Sequence, residues 1–118
     1  MIWNDKQPIY IQIRQRIIDL ILSNSVKANE ALPSVRQIST DLSVNPLTIT
    51  KAYQSLVELG IIEKRRGLGM FLAKNARKEL LKLEQEKFIN QEWPLITKQI
   101  KMLELNIDDL KDKKIREK

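Results

Sequence analysis

The sequence predicts a mainly α, α+β fold with one small β hairpin and a short helical tail. Three observations carry that reading. Residues 35–42 and 46–59 have helical periodicity on either side of a two-residue turn. Two short strand-like runs around a basic loop with two glycines come directly after them. Beyond residue 75 the chain has no glycine and repeats apolar residues at spacings of four and three.

All four prolines, Pro8, Pro33, Pro46 and Pro94, fall where a helix begins or bends. After Pro8, the apolar residues Tyr10, Ile13, Ile17, Ile18 and Ile21 recur at helical spacing. Residues 9–23 therefore read as an amphipathic helix whose buried face packs on the helix-turn-helix. The link over 23–31 lacks such periodicity. Its two asparagines, Asn24 and Asn29, tolerate a left-handed backbone better than most residues, which suits a compact connector. Ser34, with Gln37 three residues on, forms a capping box, and Val35, Ile38 and Leu42 share one face of a helix over about 35–42.

Ser43 and Val44 make the turn. Asn45 then caps the free amides of a second helix, and Pro46 suits its first position. Ile49, Ala52, Tyr53, Leu56 and Leu59 line the inner side of that helix, and Gly60 is its left-handed stop. Residues 61–63 and 70–73 read as strands around Lys64, Arg65, Arg66, Gly67, Leu68 and Gly69. Glycine at 67 and 69 gives the tip access to positive φ and to close approach by a phosphate backbone. Helix, turn, helix and hairpin in this order form a winged helix-turn-helix over 1–74.

Residues 75–118 are charge-rich, and Ile89, Trp93, Ile96, Ile100, Leu103, Ile107 and Leu110 make a heptad stripe. Pro94 bends the helix or starts a new one, because it has no N–H to donate to residue 90. Asn106 stops a helix and Asp108 caps another, which predicts one long bent helix and a short one at about 108–115. A stripe on so short a tail needs covering. A second copy of the chain does that; the other arrangement folds the tail back on its own domain.

Composition narrows the function. The 21 Lys and Arg against 15 Asp and Glu give a net charge of +6, the footprint of a nucleic-acid binder and also of many ribosomal and surface proteins. Residues 1–74 carry +4 of it and 75–118 carry +2. With no cysteine and no histidine, disulfides, Cys or His metal sites and Ser-His or Cys-His nucleophile pairs are excluded. No paired acid or phosphate loop appears, and Gly67-Leu68-Gly69 is too short for a nucleotide fingerprint, so neither an enzyme nor a cofactor is expected. The N-terminus has early charges and no long apolar run, so neither a signal peptide nor a membrane span is expected, and the location is cytoplasmic.

In a helix-turn-helix only the start of the second helix reaches base edges. Leu47, Thr48, Thr50 and Lys51 occupy that stretch away from the core face. Leu47 has no core to fill, so it is either a surface leucine or a contact for a thymine methyl; Lys51 suits a guanine edge or a phosphate. Arg36 sits near the start of its helix, where its charge opposes the helix dipole, and a phosphate or a guanine is the expected partner.

The segments PIYIQI, LPSVRQIS, VNPLTITKAYQSLVELGII and RRGLGMF resemble the winged helix-turn-helix of GntR-type bacterial transcription regulators over 8–73. A tail of about 44 residues, with its EWPLI and NIDDL segments, is similar to the YtrA-like branch, whose short two-helix tail dimerises. The resemblance implies that Arg36, Asn45, Leu47, Thr48, Thr50, Lys51, Arg65, Arg66 and Gly67 contact operator DNA. Thr50 stands where members often have a basic residue, and Leu47 where they have a polar one, which moves base readout toward Arg36, Lys51 and hydrophobic contact. Asn24, Ala28 and Asn29 replace the usual Gly, Pro and Gly of the linker.

The expectation is a homodimeric repressor on the double-stranded DNA of a palindromic operator, beside a transporter operon as in that branch. A small-molecule effector has only a pocket at the dimer interface, or between tail and DNA-binding domain, to use. The alternative is a non-catalytic adaptor whose basic amphipathic tail docks a protein or membrane; nine acidic residues against eleven basic ones make that tail too mixed in charge for membranes.

Overall fold

A computed structural model describes residues 6–111, and the chain falls into two compact units, one ending at Leu81 and the other starting at Lys82. The first contains helices α1 (Ile9–Leu22), α2 (Val35–Leu42) and α3 (Pro46–Glu58), then strands β1 (Ile62–Arg65) and β2 (Gly69–Leu72). It closes with the first turns of α4 (Ala76–Lys87). The second holds the rest of α4, a π-helical turn at Phe88–Glu92, α5 (Trp93–Met102) and α6 (Ile107–Lys111).

The core of the first unit forms where the apolar sides of α1 and α3 meet. Ile13, Ile17, Ile18 and Ile21 of α1 and Ile49, Ala52, Tyr53 and Leu56 of α3 are all essentially inaccessible to solvent. Leu59, expected on that inner side, is instead 49% exposed. It is the C-cap of α3, where the backbone turns away from the wheel that would have buried it. The α2 helix covers the core with Val35, Ile38 and Leu42, none of them fully buried.

Helix ends obey one rule. Asn24, Gly60 and Glu104 take left-handed backbones just after α1, α3 and α5. The next amide in each case, from Ser25, Ile61 or Leu105, reaches back to the carbonyl of Leu20, Leu56 or Ile100 at 2.9, 3.1 and 3.0 Å. These are Schellman closures, which give the last carbonyls of a helix their partners. Asn29 is also left-handed, with φ of 66°, so both linker asparagines adopt the conformation expected of them.

The hairpin pairs Ile62 with Leu72 and Arg65 with Gly69, antiparallel. The linker adds a third edge. The Asn29 and Leu32 amides donate to the carbonyls of Leu72 and Met70, and Leu72 N–H donates to the Glu30 carbonyl. Ala31 bridges Phe71. Backbone hydrogen bonds join the linker to β2, so a stretch with no apolar alternation takes part in a sheet.

The tail differs from expectation at both ends. Ala76 and Leu80, beyond the boundary placed after Lys74, are 2% and 1% exposed and belong to the core of the first unit. Arg77 donates from Nε and Nη2 to the Leu22 carbonyl at 3.2 and 3.0 Å, closing the C-terminus of α1. At Pro94 the expectation of a new helix is met: α4 passes into a π turn, and α5 starts at Trp93 with Pro94 in its first turn. The π turn before it widens the ladder, which accommodates both the missing N–H and the pyrrolidine ring. Asn106, not Asp108, caps the short helix: its Oδ1 accepts from the Asp108 amide at 2.8 Å, so α6 begins at Ile107. Residues 112–115, expected to continue it, lie outside the described residues.

Candidate nucleic-acid interface

The start of α3 is built by its two neighbouring residues. Asn45 Oδ1 accepts from the Leu47 amide at 2.9 Å, and Pro46 occupies the first turn, where no N–H is needed. Thr50 returns its hydroxyl to the Pro46 carbonyl at 3.0 Å. Asn45 Oδ1 and the Thr50 hydroxyl are therefore engaged with the helix itself. Leu47 projects with 76% of its surface exposed, Lys51 is exposed, and Thr48 is half-buried.

The turn before α3 is held by Ser39. Its hydroxyl donates to the Val44 carbonyl at 2.6 Å, and its carbonyl accepts from the Val44 amide at 3.2 Å. Ser43 between them is left-handed, with φ of 55°. Tyr53, buried in the core, donates its hydroxyl to the Pro33 carbonyl, which ties the inner face of α3 to the start of α2. Burial pushes the Tyr53 phenol well above the usual tyrosine range. Two hydroxyls, Ser39 and Tyr53, whose positions carried no motif, thus add polar ties to the apolar packing of α2 on the core.

Arg36 is the second residue of α2, after the Ser34 cap whose Oγ accepts from the Gln37 amide at 3.0 Å. It is exposed and has no hydrogen-bond or ion-pair partner among the described residues. A cation near the positive end of a helix with no internal partner is open to an outside anion.

In the wing, three successive cations have different surroundings. The Arg65 guanidinium lies 4.3 Å from the centre of the Phe71 ring and donates to Asn29 Oδ1 and Glu63 Oε1 at 3.3 and 3.2 Å. It braces the hairpin against the linker. Lys64 and Arg66 are exposed and have no such partners among the described residues. Gly67, with φ of 75°, turns the tip, and the Leu68 amide closes on the Arg65 carbonyl at 2.9 Å.

One open groove gathers Leu47, Thr50 and Lys51 with Gln54, Ser55, Glu58 and Tyr10. Tyr10, expected only in the core, is half-buried, and its ring lies 4.0 Å from Lys51 Nζ. The N-terminal turn of α1 therefore borders the exposed side of α3. Its helical spacing concealed this, because Tyr10 lies at the solvent end of the same stripe as Ile13 and Ile17.

The tail exposes most of its stripe. Ile89 stands in the π turn, Trp93, Ile96 and Ile100 in α5, Leu103 at its end, and Ile107 and Leu110 in α6. Ile89 and Leu103 are each 60% exposed, and Trp93 37%. Phe88, outside the heptad register, packs on Trp93 with ring centres 6.2 Å apart. Leu83, Leu95, Met102 and Leu105 add further exposed apolar surface that the stripe did not include.

Residues 9–72 match the protein family described as bacterial regulatory proteins, gntR family. The HTH-type transcriptional repressor YtrA of Bacillus subtilis is 43% identical over 74 residues, which are 63% of this chain and 57% of that repressor. The chain thus spans little more than half the length of that relative. Among solved structures, a GntR family transcriptional regulator from Listeria monocytogenes superposes with a TM-score of 0.74 at 31% identity, covering 92% of this chain and 93% of that one. The AraR DNA-binding domain in complex with an operator superposes with a TM-score of 0.55 at 27% identity, covering 57% of this chain and 81% of that one.

Proposed function

Because the chain belongs to the gntR family of bacterial regulatory proteins, we propose that it is a transcriptional repressor that binds an inverted-repeat operator as a homodimer in the cytoplasm. The family is one of DNA-binding regulators rather than enzymes. The observation that carries the reading is the start of α3. It is capped at Asn45, held to α2 by Ser39 and Tyr53, and presents Leu47 and Lys51 outward.

Leu47 and Lys51 read base edges, with the Thr48 side chain beside them, and Arg36 meets a phosphate or guanine at the groove rim. Lys64 joins Arg66 and the Gly67 tip on the sugar-phosphate backbone. Asn45, Thr50 and Arg65 act mainly by holding the helix start and the wing in shape. The exposed tail residues Ile89, Trp93, Ile96, Leu103, Ile107 and Leu110, with the half-buried Ile100 and with Phe88, make the contact between two copies. A two-fold protein matches a two-fold site.

The resemblance to the YtrA-like branch favours a transporter operon as the target. Fluorescence anisotropy with palindromes from the protein's own upstream region tests the reading. Tight, salt-sensitive binding to one of them is expected, and equal affinity for all of them and for scrambled DNA defeats it. The paired change Arg36→Ala and Lys51→Ala removes specific binding and leaves the dimer intact.

A further inference from the structure

Lys51 is the base-facing cation of α3, and its placement depends on another helix. We propose that Tyr10 is a positioning residue for Lys51, and through it a determinant of which base pair the protein prefers opposite that lysine. The inference rests on the reading of α3 as the DNA-reading helix.

The ammonium lies 4.0 Å from the centre of the Tyr10 ring, within the range at which the electron-rich face of an aromatic attracts a cation. Lys51 makes no hydrogen bond or ion pair among the described residues, and Glu58, at the far end of the same groove, does not pair with it. The ring therefore holds the charge without occupying any of its three N–H donors. Arg65 shows the contrast. It too lies on a ring, at Phe71, yet its Nη2 is taken by Asn29 and Glu63.

A lysine side chain on an exposed helix samples many rotamers, and ordering it on DNA weakens binding. Tyr10 removes part of that disorder beforehand while leaving the donors free for a guanine edge. Without the ring, Lys51 remains a cation and still attracts DNA, so affinity for arbitrary sequence persists and discrimination falls.

The test uses the full chain, its operator, and operators changed one base pair at a time. Tyr10→Phe keeps the ring and retains wild-type affinity and preference. Tyr10→Leu binds the operator about fivefold more weakly, the scale of an exposed cation–π contact. Its affinity for scrambled DNA is unchanged. Its loss of discrimination falls at the base pair where Lys51→Met also loses it, and the double variant loses no more than Lys51→Met alone. Additive effects of the two changes, or a Tyr10→Phe variant as weak as Tyr10→Leu, overturn the proposal while leaving the DNA-binding reading in place. Wild-type protein with no sequence preference overturns both. A measurement on the unmodified protein guards against a misfolded variant: the ring current of Tyr10 shifts the Lys51 ε-methylene protons upfield in NMR spectra. Unshifted protons in the wild type overturn the proposal directly.

Discussion

Arg65 and Arg66 carry the same charge one residue apart, and the hairpin gives them different work. Arg66→Ala removes a free cation, so the slope of log affinity against log salt falls by about one while stability stays unchanged. Arg65→Ala instead weakens the wing. Loss of the Phe71 contact and the Asn29 and Glu63 bonds costs about 1 kcal/mol, and hydrogen exchange over 62–72 accelerates. The three cations at 64–66 were legible in the sequence as a basic tip. Which of them turns inward was not, because strand alternation depends on register, and register is set by the pairing of Arg65 with Gly69. Tyr53 gives a pH prediction. Its phenol is raised by burial, so the folded state holds that proton more tightly than the unfolded chain, whose tyrosine titrates near 10. Its contribution to stability is complete below pH 10 and declines as pH rises above it, and alkaline thermal melts check this.

Helix α4 lends its first turns to one unit and its later turns to the other. A fragment of residues 1–74 therefore lacks Ala76, Leu80 and the Arg77 bond to Leu22, whereas a fragment of 1–81 keeps all three. The longer fragment is expected to be more stable by about 2–5 kcal/mol, the scale of one lost buried leucine. Equal denaturation midpoints for the two would contradict that assignment. The helices of the first unit, their caps and the left-handed asparagines were legible because local chemistry decides them: Asn45 before Pro46, Gly60 after Leu59, Asn24 after Ser23. The domain edge was not. The composition changes after Lys74, but a helix joins a core through two residues four apart, and Ala76 and Leu80 supply them inside a charged segment. The linker edge strand was illegible for a different reason, since its bonds to β2 are all from the main chain.

At the scale of the molecule, the exposed apolar residues of the tail are the feature that most needs a partner. Patches of this kind on soluble proteins mark contact surfaces. Trp93→Glu combined with Ile100→Glu places two charges on α5 and converts the expected dimer to a monomer in sedimentation velocity, with circular dichroism of the winged unit preserved. A variant that remains dimeric moves the contact elsewhere. The heptad pattern led to the expectation that something covers the tail. It did not announce Phe88, because the π turn shifts the helix phase there and brings a residue outside the register against Trp93. If two copies cover that surface, as proposed, their pairing also sets how the protein responds to its own abundance. When most chains are single, the paired form grows as the square of the total by mass action, so doubling synthesis raises the operator-binding species about fourfold. On the proposed dimeric reading, a greasy strip on a short tail makes repression a steep function of gene dosage.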